Sequence, residues 1–332
     1  MRQPDDLPAL AALSARIGAD PLLVQGAGGN TSVKTDDALW IKASGLRLCD
    51  ATARDVFVEV DLARLRAAVR ADDGSADRPA EFAAPGALRP SIETALHAVF
   101  AQRIVVHVHC AATIAVAIRA DAGAETALRL AEFDAAFVPY VKPGVGLGMA
   151  VAAVLGPQTD VVVLGNHGLV VAARDVASAG ALLARVSAAM GAGVTPLTSD
   201  PHPQQISLPG YRPCPPDHPL GAVARSAPHL AMAWSGSLYP DHVIFCGPGV
   251  AVLQADGTLP PGAPAPPFVL VPGIGALLRE TLTEAEAAMA RCLGDVLVRV
   301  PASAEVSPLS AGDEAALLDW DAEKYRQALN AC

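Results

Sequence analysis

The sequence predicts a layered domain in which helices alternate with short, mostly antiparallel-type strands, an α/β or α+β arrangement, followed by a C-terminal extension. Three observations carry this. Apolar β-type runs recur at 38–45, 56–61, 104–109 and 161–173, bounded by turn residues. Helical patterns separate them without regular βαβ spacing, which disfavours a doubly wound sheet. Composition then shifts near residue 194, because TPLTSDPHPQQISLPGYRPCPPDHP (195–219) is too dense in proline to form a packed element. The boundaries that follow are a core domain over 1–195 and an extension over 196–332 that packs on the core, sizes ordinary for domains.

Each element has its own signal. Residues 5–19 place Leu7, Leu10, Leu13 and Ile17 at helical spacing. GAGGNTSVK (26–34) reads as a loop, ALWIKASG (38–45) as a strand ending in a turn, and VFVEVD (56–61) as a second strand. Residues 71–89 carry small, charged, Gly and Pro residues without period and read as a surface loop. SIETALHAVFAQ (91–102) reads as a helix with Ser91 as N-cap, IVVHVH (104–109) as a strand, and TIAVAIRA (113–120) as helical. FVPYVKPGVG (137–146) reads as irregular. VVVLGNHGLVVAA (161–173) reads as two strands joined by a tight turn at Gly165–Gly168, and an Ala-rich helix follows over roughly 175–191. In the extension, HVIFCG, VAVLQ and FVLVPG look strand-like, with helices expected over 279–294 and 313–330.

Composition bounds the function. The 332 residues are 52% hydrophobic and 17% charged, with a net charge of −10 and scattered basic residues. That balance argues against nucleic-acid binding, which needs clustered Lys and Arg to displace counterions. No run approaches the roughly 18–20 apolar residues of a spanning helix. The N-terminal MRQPDDLPAL has acids and prolines where a signal peptide has a basic and then an apolar region, so a cytoplasmic location is the expectation. The six cysteines (49, 110, 214, 246, 292, 332) form no CxxC or metal-ligand spacing and read as reduced thiols; Cys110 stands out only for its neighbours.

Chemistry concentrates on three histidines and a glutamate. His107 and His109 are two apart in an apolar strand, so both rings leave the same face. Two imidazoles in Val-rich surroundings are costly to bury without a partner, and a divalent metal satisfies both; the alternative is a solvated strand face. His167, in GNHG, is a third imidazole on a turn whose glycines permit close backbone approach. Three histidines leave a coordination position open, as catalytic zinc requires. Glu93 stands at the start of its helix, where it either compensates the helix dipole or serves as a general base beside the metal. His97, one turn later, reads as a packing or supporting residue. The loop GAGGN lacks the third glycine and following helix of a dinucleotide site, and lacks the GK[ST] of a P-loop. What remains is either a plain turn or a nest of backbone N–H groups with Asn30, Thr31 and Ser32, suited to one phosphate or carboxylate.

GGN (28–30), KASG (42–45), PSIE (90–93), HVH (107–109) and NHG (166–168), in this order, resemble the class II aldolase/adducin family over residues 8–195. The resemblance implies an α/β layered fold with a central mixed or antiparallel sheet flanked by helices, here with an α+β extension. It implies that His107, His109 and His167 hold zinc or another divalent ion and that Glu93 is the general base. Gly29, Asn30, Ser44, Gly45 and Ser91 match positions that hold the substrate phosphate. Tyr140 resembles a loop tyrosine that reaches across a subunit interface and protonates the leaving aldehyde. The implied function is a zinc-dependent aldolase that cleaves a sugar phosphate or related hydroxy-carbonyl compound through a metal-stabilised enediolate. It acts as a homotetramer on a small molecule. Ile92 departs from the pattern by replacing a second hydroxyl before the glutamate, which favours the alternative of a decarboxylase, epimerase or dehydratase acting on an unphosphorylated substrate. YPDHVIF (239–245) and LLDWDAEKYRQAL (317–329) resemble segments of longer aldolases fused to a short-chain dehydrogenase, with no dehydrogenase following before Cys332. His242 is then either near the active site or structural. Adducin, a cytoskeletal protein of the same family without the zinc ligands, is the non-enzymatic alternative, against which the retained histidines and Glu93 weigh.

Overall fold

The computed structural model describes residues 3–72, 74–198, 207–259 and 265–319. The chain divides into two compact units, Met1–Thr113 with Gly123–Ala192, and Ile114–Ala122 with Gly193–Cys332. In chain order the first part comprises α1 (Leu7–Gly18), β1 (Asn30–Lys34), β2 (Ala38–Lys42), β3 (Phe57–Asp61), α2 (Leu62–Ala71), α3 (Thr94–Val99) and β4 (Ile104–Val108). It continues with α4 (Ala111–Ala117), α5 (Ala122–Arg129), β5 (Ala135–Val138), α6 (Val145–Val154), β6 (Val161–Leu164), β7 (Gly168–Ala173) and α7 (Val176–Gly191). The strands make one mixed sheet in the order β3-β2-β1-β4-β7-β6-β5, antiparallel at every step except the parallel β5–β6 pair.

The polar segment NTSVK is the main departure from the sequence reading. It is a fully buried strand next to the centre of the sheet, paired to β2 on one side and β4 on the other, with Asn30 opposite His107. Two ladders satisfy its backbone, and neighbouring helices supply polar partners for its side chains. Thr31 Oγ1 lies 2.7 Å from Ser14 Oγ of α1, and Ser32 Oγ lies 2.7 Å from His97 Nδ1 of α3. Successive residues of a strand face opposite sides, so α1 covers one face and α3 the other. A Cβ at Gly180 would stand 3.3 Å from Leu13, which places α7 beside α1; a Cβ at Gly148 would stand 3.1 Å from the backbone of Ala95 and Leu96, which places α6 tightly on α3. The α3 face is sealed by Leu39, Ile41, Val58, Val60 and Ala95 on one side and by Leu96, Phe100, Val105, Val162 and Val170 on the other.

Other expectations also shift. Helix α3 is six residues, not twelve, because Ser91 and Glu93 leave helical geometry: Ser91 Oγ accepts the Glu93 N–H at 3.2 Å, and Glu93 itself occupies the N-cap position. Within 71–89, Ser75–Asp77 and Pro79–Phe82 form 3₁₀ turns, since Phe82 is buried against the α2–β3 layer. Residues 135–138, partly read as irregular, pair in register with β6. Helices α2, α5 and α6 were not anticipated.

The second unit holds β8 (Tyr211–Pro213), α8 (Pro219–Arg225), α9 (Ala227–Trp234), α10 (Pro240–Cys246), β9 (Ala251–Val252), β10 (Phe268–Val271), β11 (Gly275–Arg279), α11 (Glu284–Leu297) and α12 (Ala311–Leu318). Its sheet runs β8-β11-β10-β9. HVIFC is helical, not a strand: Pro240 opens α10 at a position that needs no N–H donor. The proline-dense stretch does supply β8, at a sheet edge, where a missing N–H is tolerated. Helix α11 starts later than expected, at a Thr283–Glu286 capping box, because 275–279 is drawn into β11. Of the helix expected over 313–330, residues 320–330 lie outside the described residues.

The last residue of β1 has a measurable cost. Lys34 is 5% exposed, its ammonium donating to Gln102 O at 2.9 Å. Burial, with the Arg66 charge adding to it, lowers its pKa from 10.5 to about 7. Between about pH 7 and 10 the folded protein has therefore shed a proton that the unfolded chain keeps, so stability rises with pH across that window. In urea titrations the parent is expected to gain stability relative to Lys34→Met from pH 7 to pH 10. A difference that does not change with pH would contradict the buried-charge account.

Candidate metal centre

Strand β4 delivers the first two imidazoles. His107 is fully buried in mid-sheet, and His109 follows just past the strand end, 5% exposed. The ring of His107 lies 3.1 Å from Leu169 O through Nδ1. A carbonyl oxygen can only accept, so Nδ1 carries the proton and Nε2 presents its lone pair. That lone pair faces His109 Nε2 at 3.2 Å.

The third imidazole comes from the turn between β6 and β7. His167 N–H donates to Leu164 O at 3.1 Å, closing a tight turn in which Asn166 takes a positive φ of 51°, a region asparagine tolerates better than most residues. Gly168 then brings β7 against β4. A Cβ there would stand 2.5 Å from Val108 O and 3.3–3.4 Å from the rings of His107 and His109, so only glycine allows this approach. The three ring centroids are 4.9–5.2 Å apart, and the three ligand nitrogens lie within 4.8 Å of one another. Nitrogens held at about 2.0–2.1 Å around a tetrahedral ion stand roughly 3.3 Å apart, close to the His107–His109 separation. The donor set therefore fits a divalent ion of zinc type.

Glu93 closes the cluster. One carboxylate oxygen is 3.5 Å from His107 Nε2 and the other 3.4 Å from His167 Nε2. Burial by itself would raise this pKa. Positive charge on the His107, His167 and His109 cluster, with a 2.8 Å hydrogen bond from Asn30 Nδ2, outweighs it and lowers the carboxyl to about 2. Glu93 is thus an ionised carboxylate in a buried site.

The glycine loop, the KASG turn and the PSIE segment gather around a residue not singled out in the sequence. Lys42, 2% exposed, donates to Ala27 O at 2.6 Å and Leu46 O at 2.7 Å. On the same side, Ala43 bridges Pro90, Ser44 N–H donates to Arg89 O, and Ser91 N–H donates to Lys42 O. One buried ammonium thus ties residues 27 and 46 to the end of β2, whose last carbonyl also accepts the Ser91 N–H. Gly29 takes a φ of 61° and passes so close to His107 O that a Cβ would stand 3.0 Å away; Gly45 has a φ of 77°. Asn30 donates to Ser91 Oγ at 3.2 Å and to Glu93, so both amide hydrogens act inside the protein and none faces an outside phosphate. Tyr140 follows β5, its backbone against Gly165 and its hydroxyl buried. His242 belongs to the second unit, buried and hydrogen-bonded through Nε2 to Gly249 O at 2.9 Å, a structural contact. Cys110 is buried, and the described cysteines are free thiols. Lys42 was detectable in the sequence as a lysine inside an apolar strand.

The chain matches the family described as Class II Aldolase and Adducin N-terminal domain over residues 9–191, more than half its length, and it belongs to that family. Members of this family are typically divalent-metal-dependent enzymes. A structure of the N-terminal class II aldolase domain of a conserved protein from Thermoplasma acidophilum is 27% identical and superposes with a TM-score of 0.51. It covers 57% of this chain and 94% of that one. An uncharacterized oxidoreductase of Bacillus subtilis strain 168, YuxG, is 31% identical over 170 residues, covering 46% of this chain. The match spans about a quarter of that relative's length, 24%. No described helix is long and apolar enough to cross a membrane.

The geometry predicts one zinc per chain, read by elemental analysis of the purified protein. Alanine at His107, His109 or His167 should weaken zinc binding at least about 10-fold. Gly168→Ala should do the same without removing a ligand, because the Cβ must push β7 away from Val108. Zinc binding unchanged in the Gly168 variant would contradict that account of the turn.

Proposed function

We propose that the protein is a divalent-metal-dependent carbon–carbon lyase of the aldolase type, acting on a sugar phosphate or a related hydroxy-carbonyl compound. The observation that carries this reading is the convergence of His107, His109 and His167 with one ionised carboxylate, Glu93, 3.4–3.5 Å away. A divalent ion held by the three imidazoles supplies Lewis-acid stabilisation of the negative charge that develops when a bond beside a carbonyl breaks. Glu93 takes and returns the proton at the adjacent substrate carbon, a role suited to a carboxylate kept charged at neutral pH. Gly29, Ser44, Gly45 and Ser91 border the anionic end of the substrate. Tyr140, placed by Gly165 next to the His167 turn, serves the aldehyde oxygen. Assembly as a homotetramer belongs to the same reading.

Two observations favour a second reading, decarboxylation of an oxo-acid in the same site. Ile92 stands where a hydroxyl donor would help hold a phosphate, and the Asn30 amide is committed to Ser91 and Glu93.

Incubation of the zinc-loaded protein with ketose 1-phosphates and with 3-oxo acids, assayed for aldehyde and for CO₂, separates the two. Aldehyde release is expected; CO₂ without aldehyde would decide for decarboxylation. Glu93→Gln is expected to keep its zinc and lose about 100-fold or more in turnover. Parental turnover in that variant would remove Glu93 from the mechanism.

A further inference from the structure

Behind Glu93 lies a row of polar groups on the α3 face of β1. Asn30 and Ser32 are 3% and 0% exposed, and His97, in the otherwise apolar helix segment TALHAV, is 0% exposed. Burying an imidazole, an amide and a hydroxyl together is costly unless each finds a partner. Here each does. Asn30 Nδ2 is 2.8 Å from Glu93 Oε2, Asn30 Oδ1 contacts His97 Nε2, and His97 Nδ1 is 2.7 Å from Ser32 Oγ.

The direction of every bond follows from the Asn30 amide. Its Nδ2 lies against Glu93 Oε2 and Ser91 Oγ, and its Oδ1 lies against His97 Nε2. That oxygen only accepts, so His97 Nε2 carries a hydrogen. Nδ1 then holds the lone pair and accepts the Ser32 hydroxyl hydrogen. Burial, and next the Lys34 charge, keep His97 well below its usual pKa and therefore neutral. The result is a one-way chain, Ser32 O–H to His97, His97 N–H to Asn30, Asn30 N–H to Glu93, in which each bond polarises the next.

We infer that Ser32 and His97 are positioning residues that act through Asn30 to fix the orientation of the Glu93 carboxylate. The inference rests on the reading of Glu93 as the base. Asn30 is paired with His107 in the β1–β4 ladder, its Nδ2 donates to Ser91 and Glu93, and its Oδ1 accepts from His97, so its plane is set from behind as well as from the strand. Without the His97 donor the amide loses its anchor at the oxygen end, and the Asn30–Glu93 hydrogen bond is steadied from the Ser91 side alone.

Long-range ¹H–¹⁵N spectra of histidine-labelled full-length protein, zinc-loaded, test the direction of the chain. His97 is expected as a single neutral tautomer protonated at Nε2; protonation at Nδ1, or a mixture of the two, would overturn the inference. Kinetics test its consequence. Ser32→Ala and His97→Phe are expected to lower kcat about 10–100-fold, with KM and zinc content within about two-fold of the parent, and Ser32→Thr should restore kcat. Ser32→Ala removes a single oxygen and stays informative if His97→Phe does not fold. Parental kcat in Ser32→Ala, or a loss confined to KM, would sink the positioning role. Glu93→Gln with parental turnover would instead remove the base assignment, a result the tautomer measurement does not depend on.

Discussion

Everything around the candidate centre depends on one constraint: three imidazoles and a carboxylate are buried together beside the inner strands and must satisfy one another or a shared cation. Unpaired, each such group costs on the order of 1–3 kcal/mol, and more when charged. The fold meets this by using the inner strands β1, β4 and β7 of the sheet as the platform. His107 is held by ladders on both sides and by the Leu169 carbonyl, so its lone pair has one direction available.

Convergence requires backbone to come closer than ordinary side chains allow, and the glycines stand where it does. Gly168 lets β7 meet β4 beside the histidine rings, and Gly29 lets the loop before β1 pass over His107. Lys42 then supplies stiffness from behind. Its ammonium gathers the carbonyls of two loop residues, Ala27 and Leu46. The same logic runs through Ser32, His97 and Asn30, whose buried side-chain polar atoms are all partnered. A site assembled in this way resists rearrangement, because moving any member strands another.

The sequence reading of the fold succeeded where periodicity and burial agree. VVVLGNHGLVVAA and IVVHVH are apolar, short and bounded by turn residues, and they are strands; the Ala-rich helix after Asp175 is a helix. It failed where local pattern and tertiary position disagree. NTSVK has the composition of a loop, yet it is a buried inner strand because β2 and β4 pair with it and α1 and α3 offer polar partners. HVIFC has the composition of a strand, yet Pro240 and its neighbours make it helical. SIETALHAV reads as one helix, but its first three residues are drawn out of helical geometry by hydrogen bonds to Ser91 and Asn30.

For the site, residue types and spacing determined which groups take part. HVH on a strand, NHG on a turn and PSIE ahead of a helix name the imidazoles and the carboxylate, because few other roles suit those residues in those settings. Their mutual distances, the tautomer of His107, the inward commitment of Asn30 and the supporting parts played by Lys42, Ser32 and His97 were decided only by tertiary structure. The physical reason is that hydrogen bonds are short and directional. Residues 30, 93 and 97 come within reach of one another only after β1 pairs with β4 and α3 folds across that face, and no local pattern encodes that meeting.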